Sequence, residues 1–219
     1  MAALWAFIVA FLFWNVEARP ATFLQDFRIT WSESHIRQLE GGKAIQLPYT
    51  VQTNVFVHGK GNREQRINLW FDPAVEFHTY TILWNHHHTV FYIDEVPIRV
   101  YKNNEARGIP FPKLQAMGVY STLWEADDWA TRGGLEKIDW AKAPFYAYYK
   151  DFDIEGCPVP GPAGCASSGA NWWEGAAYAQ LSPVEARMYR WVRTNHMIYD
   201  YCTDRSRSPV PAPECAAGI

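Results

Sequence analysis

Period-two patterning dominates the middle of the chain. Phe77 to Trp84 and Val90 to Val96 carry apolar or aromatic residues on both faces, as strands inside a sandwich do, and the polar run Asn85-His86-His87-His88 between them predicts a hairpin turn. Ile67 to Phe71 predicts a further strand, ended by Asp72-Pro73, and Val119 to Trp124 with Phe145 to Ile154 completes the set. The one helical pattern follows Ser182-Pro183-Val184-Glu185, where Ser182 can cap, Pro183 suits the first turn and Glu185 can reach back as a capping box. That helix is expected to run to about Met197, with Tyr189, Trp191 and Val192 packing on the sandwich. Pro158 to Gly169, rich in Pro, Gly, Ala and Ser, reads as a loop. The pattern is all-β with one C-terminal helix.

Composition narrows the class. A chain of 219 residues with 48% hydrophobic content, including 11 tryptophans, 12 tyrosines and 12 phenylalanines, can build one sandwich-sized domain. A net charge of −3 leaves no electrostatic footprint for nucleic acid or an anionic membrane, so a neutral partner is expected. Residues 4 to 14, LWAFIVAFLFW, are too short an apolar run to span a bilayer comfortably, and Val16-Glu17-Ala18 offers a cleavage point, so residues 1–18 read as a signal peptide; an uncleaved anchor is the alternative. Cys157, Cys165, Cys202 and Cys215 then predict two disulfides in one of three pairings, the short loops favouring Cys157 with Cys165 and Cys202 with Cys215.

The stretch from Tyr120 to Phe145 suits a sugar. Trp124, Trp129 and Trp140 alternate with Asp127, Asp128, Arg132, Glu136, Lys137 and Asp139, and flat rings can stack on a pyranose while the polar groups reach its hydroxyls. Core tryptophans beside a solvated charged loop are the plainer reading. Gly133-Gly134 would let backbone approach a ligand closely.

LWEADDWATRGGLEKIDWAKAPF resembles the signature of plant xyloglucan endotransglucosylase/hydrolases, retaining β-glucan-active enzymes of the concanavalin-like jelly-roll class in glycoside hydrolase family sixteen. The likeness continues through Tyr49 to Asn85, Phe91 to Asn103, the NWWE of Asn171 to Glu174, and Tyr201 to Cys215. It implies the same disulfide pairing, and a reaction that cleaves and rejoins the β-1,4-glucan backbone of xyloglucan without a cofactor or metal. It also implies a catalytic strand, H-D-E-I-D-F-E-F, where Leu47 here runs straight into Pro48. Neither catalytic glutamate is present, so the expected fold is a jelly-roll sandwich truncated near residues 47 and 48, and the expected activity is none. No catalytic residue is assigned.

Two segments imitate missing chemistry. Asp151-Phe152-Asp153-Ile154-Glu155 would place three carboxylates on one face of a strand, as retaining hydrolysis requires of its acids, but the plainer reading is a half-buried strand with its acids in water. His86 and His88 could share one side of an extended segment, yet two ligands do not make a metal site. The resemblance assigns glucan binding to Gln52, Thr53, Asn54, Asn62, Arg63, Glu64, Asp128, Trp129, Gly133 and Arg207, with Asn62 standing where aspartate is usual. It implies three regions: a signal at 1–18, a truncated jelly roll at 19–155 and a C-terminal extension at 156–219. The expected product is a secreted monomer of the apoplast and cell wall that binds xyloglucan or a related β-glucan and neither nucleic acid nor membrane. A non-catalytic xyloglucan-binding wall protein is the alternative to a merely inactive enzyme.

Overall fold

The computed structural model describes residues 49–113, 115–128, 134–135, 137–161, 164–165 and 171–216, with the backbone of two short strands before them. Those two, β1 (Arg37–Leu39) and β2 (Ala44–Gln46), form an antiparallel pair. The predicted signal peptide and the Leu47–Pro48 junction lie outside the described residues.

The body is built from two three-stranded antiparallel sheets. One joins β3 (Thr50–Thr53), β4 (Gln65–Asn68) and β8 (Met197–Asp200) in the order β3-β4-β8. The other joins β5 (Tyr80–Trp84), β6 (His88–Ile93) and β7 (Val96–Lys102) in sequence order. The predicted Phe77–Trp84 and Val90–Val96 strands are present with shifted ends, paired from Tyr80↔Ile93 to Trp84↔Thr89 around Asn85. β7 is an addition to the expected set. Its turn, Asp94-Glu95, takes φ values of 48° and 65°, the left-handed conformation that two-residue hairpins require and that Asn-Gly usually supplies. Asp94 offsets the strain by accepting Thr79 N–H at 2.9 Å and meeting His78 Nδ1 at 2.6 Å.

Period two sends the two faces of β5-β6-β7 to different neighbours. Leu83, Val90 and Val100, in register across the strands, form one cluster with Trp173 and Tyr189 from the C-terminal region. On the opposite face Phe91, Ile93 and Ile98 meet Val51 and Ile67 of the other sheet, with Val192 closing the core. Ile98 has no partner in the β6–β7 register, and this bulge brings Arg99 to the same interior side. There the buried guanidinium donates to Thr53 O at 2.9 Å and Thr53 Oγ1 at 3.0 Å.

The helix forms as its sequence predicts. α1 spans Pro183–Asn195; Ser182 Oγ accepts Glu185 N–H at 3.2 Å and Glu185 Oε2 accepts Ser182 N–H at 2.7 Å, completing the capping box. Tyr189 and Val192 face inward, whereas Trp191 lies at the surface with its ring edge against Trp70. A short α2 (Pro213–Ala216) follows β8. Both expected disulfides, Cys157–Cys165 and Cys202–Cys215, are formed and pin loops on either side of α1.

Two expected strands are not strands. Val119 to Trp124 and Phe145 to Ile154 carry no regular secondary structure, with Tyr120, Trp124, Tyr148 and Phe152 exposed. Their alternation suits a sheet, but a strand needs a neighbour to take its N–H and C=O groups; the two segments meet through side chains, Ser121 Oγ lying 2.6 Å from Tyr149 Oη. The structure is mostly β with a C-terminal helix and two disulfides, a jelly-roll architecture short of part of its sheets.

Candidate functional site

The outward face of β3-β4-β8 carries a polar platform. In β3 the alternation points Thr50 and Gln52 to solvent and buries Val51 and Thr53. Gln52 pairs in register with Arg66, and Arg66 with Tyr199, so one row crosses all three strands; the Arg66 guanidinium lies 4.4 Å from the centre of the Tyr199 ring.

Beside that row Arg207 joins the loop after β8 to the loop before β4. Its Nη1 donates to Glu64 Oε2 at 2.8 Å, and its Nη2 donates to Glu64 Oε1 at 3.2 Å and Asn62 Oδ1 at 2.8 Å. Asn62 adopts φ 62°, which its short amide side chain tolerates, and this aims its carbonyl oxygen at Arg207. Asn54 Oδ1 fixes the same loop by accepting Arg63 N–H at 3.0 Å. Tyr199 Oη, and the carboxylate of Glu64, raise the affinity of Arg207 for its proton above the ordinary value. Ser206 Oγ at 2.6 Å, Arg207 N–H at 3.0 Å and Tyr199 Oη at 3.0 Å hold the Asp204 carboxyl at about 2. Arg207 and Asp204 therefore keep their charges through the mildly acidic range.

Not every predicted binding residue joins it. Gln52, Asn54, Asn62, Glu64 and Arg207 are brought together. Thr53 lies on the inner face of the sheet, spent on Arg99, and Arg63 turns inward, its Nε 2.5 Å from Glu214 Oε1 and its Nη1 donating to Lys60 O at 2.8 Å. Asp128 belongs to a separate loop in which Lys137 Nζ donates to Asp127 O at 2.9 Å and approaches Asp128 Oδ1 at 3.4 Å. The backbone N–H of Ile138, with Lys137 adding, holds the Asp127 carboxyl below the usual range. Gly134 closes that loop at φ 90°, where a Cβ would come 2.5 Å from Asp128 O. Trp129 and Gly133 lie outside the described residues. Arg66, Tyr199 and Asp204 are platform residues that the sequence reading missed, because the register of β3-β4-β8 brings Arg66 and Tyr199 to one face, where Tyr199 Oη donates to Asp204.

Neither imitation of catalytic or metal chemistry assembles. Asp151, Asp153 and Glu155 lie exposed on a segment without regular structure, Asp151 itself at φ 52°, so no pleat aligns them. Asp151 sits 3.7 Å from Lys150 Nζ, and Glu155 Oε2 accepts Trp172 Nε1–H at 2.5 Å. His86 pairs with Glu174 while His88 is buried, so the two point to different surroundings; among the described residues no group of three or more metal-ligating side chains comes together.

Comparison with known proteins places these elements. The family described as Glycosyl hydrolases family 16 matches residues 41–142, and Xyloglucan endo-transglycosylase (XET) C-terminus matches residues 167–215. "Probable xyloglucan endotransglucosylase/hydrolase protein 7" of Arabidopsis thaliana is 56% identical, covering 97% of this chain and 94% of its own. The chain belongs to the xyloglucan endotransglucosylase/hydrolase family. "Probable xyloglucan endotransglucosylase/hydrolase protein 6" of the same plant is 57% identical over 96% of this chain and 94% of its own. "Xyloglucan endotransglucosylase/hydrolase protein 9" is 56% identical, over 80% of this chain and 61% of its own.

The chain is shorter than these family members over the matched region. The alignment with protein 7 runs over 275 positions while this chain has 219 residues, so at least 56 positions (275 less 219) face none of its residues.

Proposed function

We propose that this member of the xyloglucan endotransglucosylase/hydrolase family binds glucan without cleaving or rejoining it, as a secreted monomer of the plant cell wall. The observation that carries the reading is the junction: Leu47 is followed directly by Pro48, where family resemblance calls for the strand bearing both catalytic glutamates. Retaining transfer needs two carboxyl groups about 5 Å apart across the scissile bond, one as nucleophile and one as acid and then base. No exposed acid of the Asp151–Glu155 segment is held in such a pair.

The binding half of the reading rests on the platform. Arg207 and Asn62 offer donors and an acceptor at fixed positions, and Trp124 and Trp140 present exposed rings of the kind that stack on pyranose faces. Trp129, Gly133 and Asp128 extend the proposed binding set, as does Gln52. Among the described residues no helix is long and apolar enough to cross a membrane. The proposed division into a signal at 1–18, a jelly-roll region at 19–155 and an extension at 156–219 leaves β8, from the extension, completing the sheet that bears the platform.

Affinity electrophoresis through a gel containing xyloglucan tests this reading. The wild-type chain is expected to be retarded, and Arg207→Ala to weaken binding by about 10- to 100-fold, the range for losing one hydrogen bond to a charged group. Migration equal in gels with and without xyloglucan would refute glucan binding.

A further inference from the structure

The histidines after Asn85 lie apart from the platform, where the C-terminal extension closes over the outer face of β5-β6-β7. Asn85 is fully buried and clasps both sides: its Nδ2 donates to Trp173 O at 2.8 Å and Tyr178 O at 2.9 Å, and its Oδ1 accepts His87 N–H and His88 N–H at 2.9 Å each. His86 Nδ1 contacts Glu174 Oε2, and Trp173 covers Leu83, Val90 and Val100. His88 opens β6 beneath the same cover. It is 3% exposed, and its Nε2 is buried without a hydrogen-bond partner.

We propose that residues 171–182 form an acid-released cover, docked on the β5–β6 hairpin while His88 is neutral and loosened when it takes up a proton. A buried imidazole with an unpartnered nitrogen tolerates neutrality far better than charge. The groups that face it do not reverse this. His87 from the turn and Lys102, its register partner on β7, oppose a positive charge, while Glu185 from α1 and the Tyr178 backbone favour one. Glu174 is held by His86, and Tyr92, further along β6, donates to Glu185 Oε1 at 3.3 Å.

Burial, with His87 second, pushes the His88 imidazole down to about 4. Burial and His87 hold His86 below its ordinary value, but its contact with the Glu174 carboxylate in the cover favours the imidazolium, so the release is assigned to His88 alone. Once undocked, a histidine titrates near its usual value of about 6.5. The open form therefore binds the proton first as pH falls. Docking is strongest above about 6.5, weakens by up to about tenfold per pH unit below that, and levels off below about 4.

Amide hydrogen exchange of the full chain, read peptide by peptide and corrected for intrinsic rates, tests the proposal. Between pH 6.5 and 4.5 the protection of residues 171–182 is expected to fall by at least about tenfold while the β3–β4 peptide keeps its own. His88→Gln flattens that dependence, and Lys102→Gln, which removes an exposed like charge and so eases the charged imidazole in the docked form, shrinks the loss and moves its midpoint to lower pH. Constant protection over this range, or an equal loss in His88→Gln, overturns the proposal. Should His88→Gln fail to fold, Lys102→Gln decides alone: an unshifted midpoint overturns it.

Discussion

Inserting the acid-bearing strand of the family between Leu47 and Pro48, with the flanking positions an intact relative supplies, is expected to create xyloglucan transfer in a protein proposed to have none. The expected gain is at least about 10⁶-fold over the unmodified chain, the lower end of enzymatic accelerations, because it supplies both partners of a two-carboxyl mechanism at once. A version of the insert with both glutamates changed to glutamine restores the sheet without the chemistry and stays silent. The same insertion has a structural readout. Val119 to Trp124 and Phe145 to Ile154 are strand-like in pattern yet lie in no ladder, with Tyr120, Trp124, Tyr148 and Phe152 in solvent. Given a new central neighbour, these segments are expected to gain amide protection and to bury their aromatic rings. An insert that transfers no glucan and leaves both segments unprotected would separate their exposure from the missing strand.

Arg99→Ala is the substitution expected to cost most stability. Arg99 is 1% exposed, enters the interior through the β7 bulge, and holds Thr53 by its carbonyl and its hydroxyl; the Phe91 and Tyr201 rings lie 5.8 and 6.0 Å from its guanidinium. Burial lowers its proton affinity, with Tyr201, Tyr189 and Asp200 opposing that shift. Truncation leaves a cavity and strands the Thr53 carbonyl, each mechanism among the largest for a single change, so the loss is expected at about 3 to 5 kcal/mol. Arg99→Met retains most of the volume and strands the same acceptor, so about 1 to 3 kcal/mol is expected. Urea denaturation followed by tryptophan fluorescence measures both. A loss below about 1 kcal/mol for Arg99→Ala would show that the two sheets do not depend on this contact.

What could be read from the sequence followed from local causes. The capping box needed only Ser182, Pro183 and Glu185, and the β5–β6 hairpin only two apolar runs around a polar turn. The disulfides needed short loops between cysteines. β7 escaped because its turn, Asp94-Glu95, lacks the glycine that signals a left-handed hairpin, and β8 because it is four residues long and follows a helix directly. The two missing strands fail for a different reason. Their own residues are sound strand formers, but pairing is a property of two segments, and sequence pattern reports on one at a time. The same holds for the site: outward Gln52 and inward Thr53 are adjacent and equally polar, and only the sheet register decides which can meet a ligand. Arg63 and Arg207 look alike in sequence, yet one is locked to Glu214 inside and the other reaches Glu64 and Asn62 at the surface.

Purified chain incubated with xyloglucan and a fluorescent xyloglucan oligosaccharide acceptor gives the most direct test. Label that never enters the polymer, under conditions where an intact family member incorporates it, is the predicted result. Incorporation by this chain, lost when Asp151, Asp153 or Glu155 is replaced by its amide, would contradict it and place a working acid pair where none has been assigned.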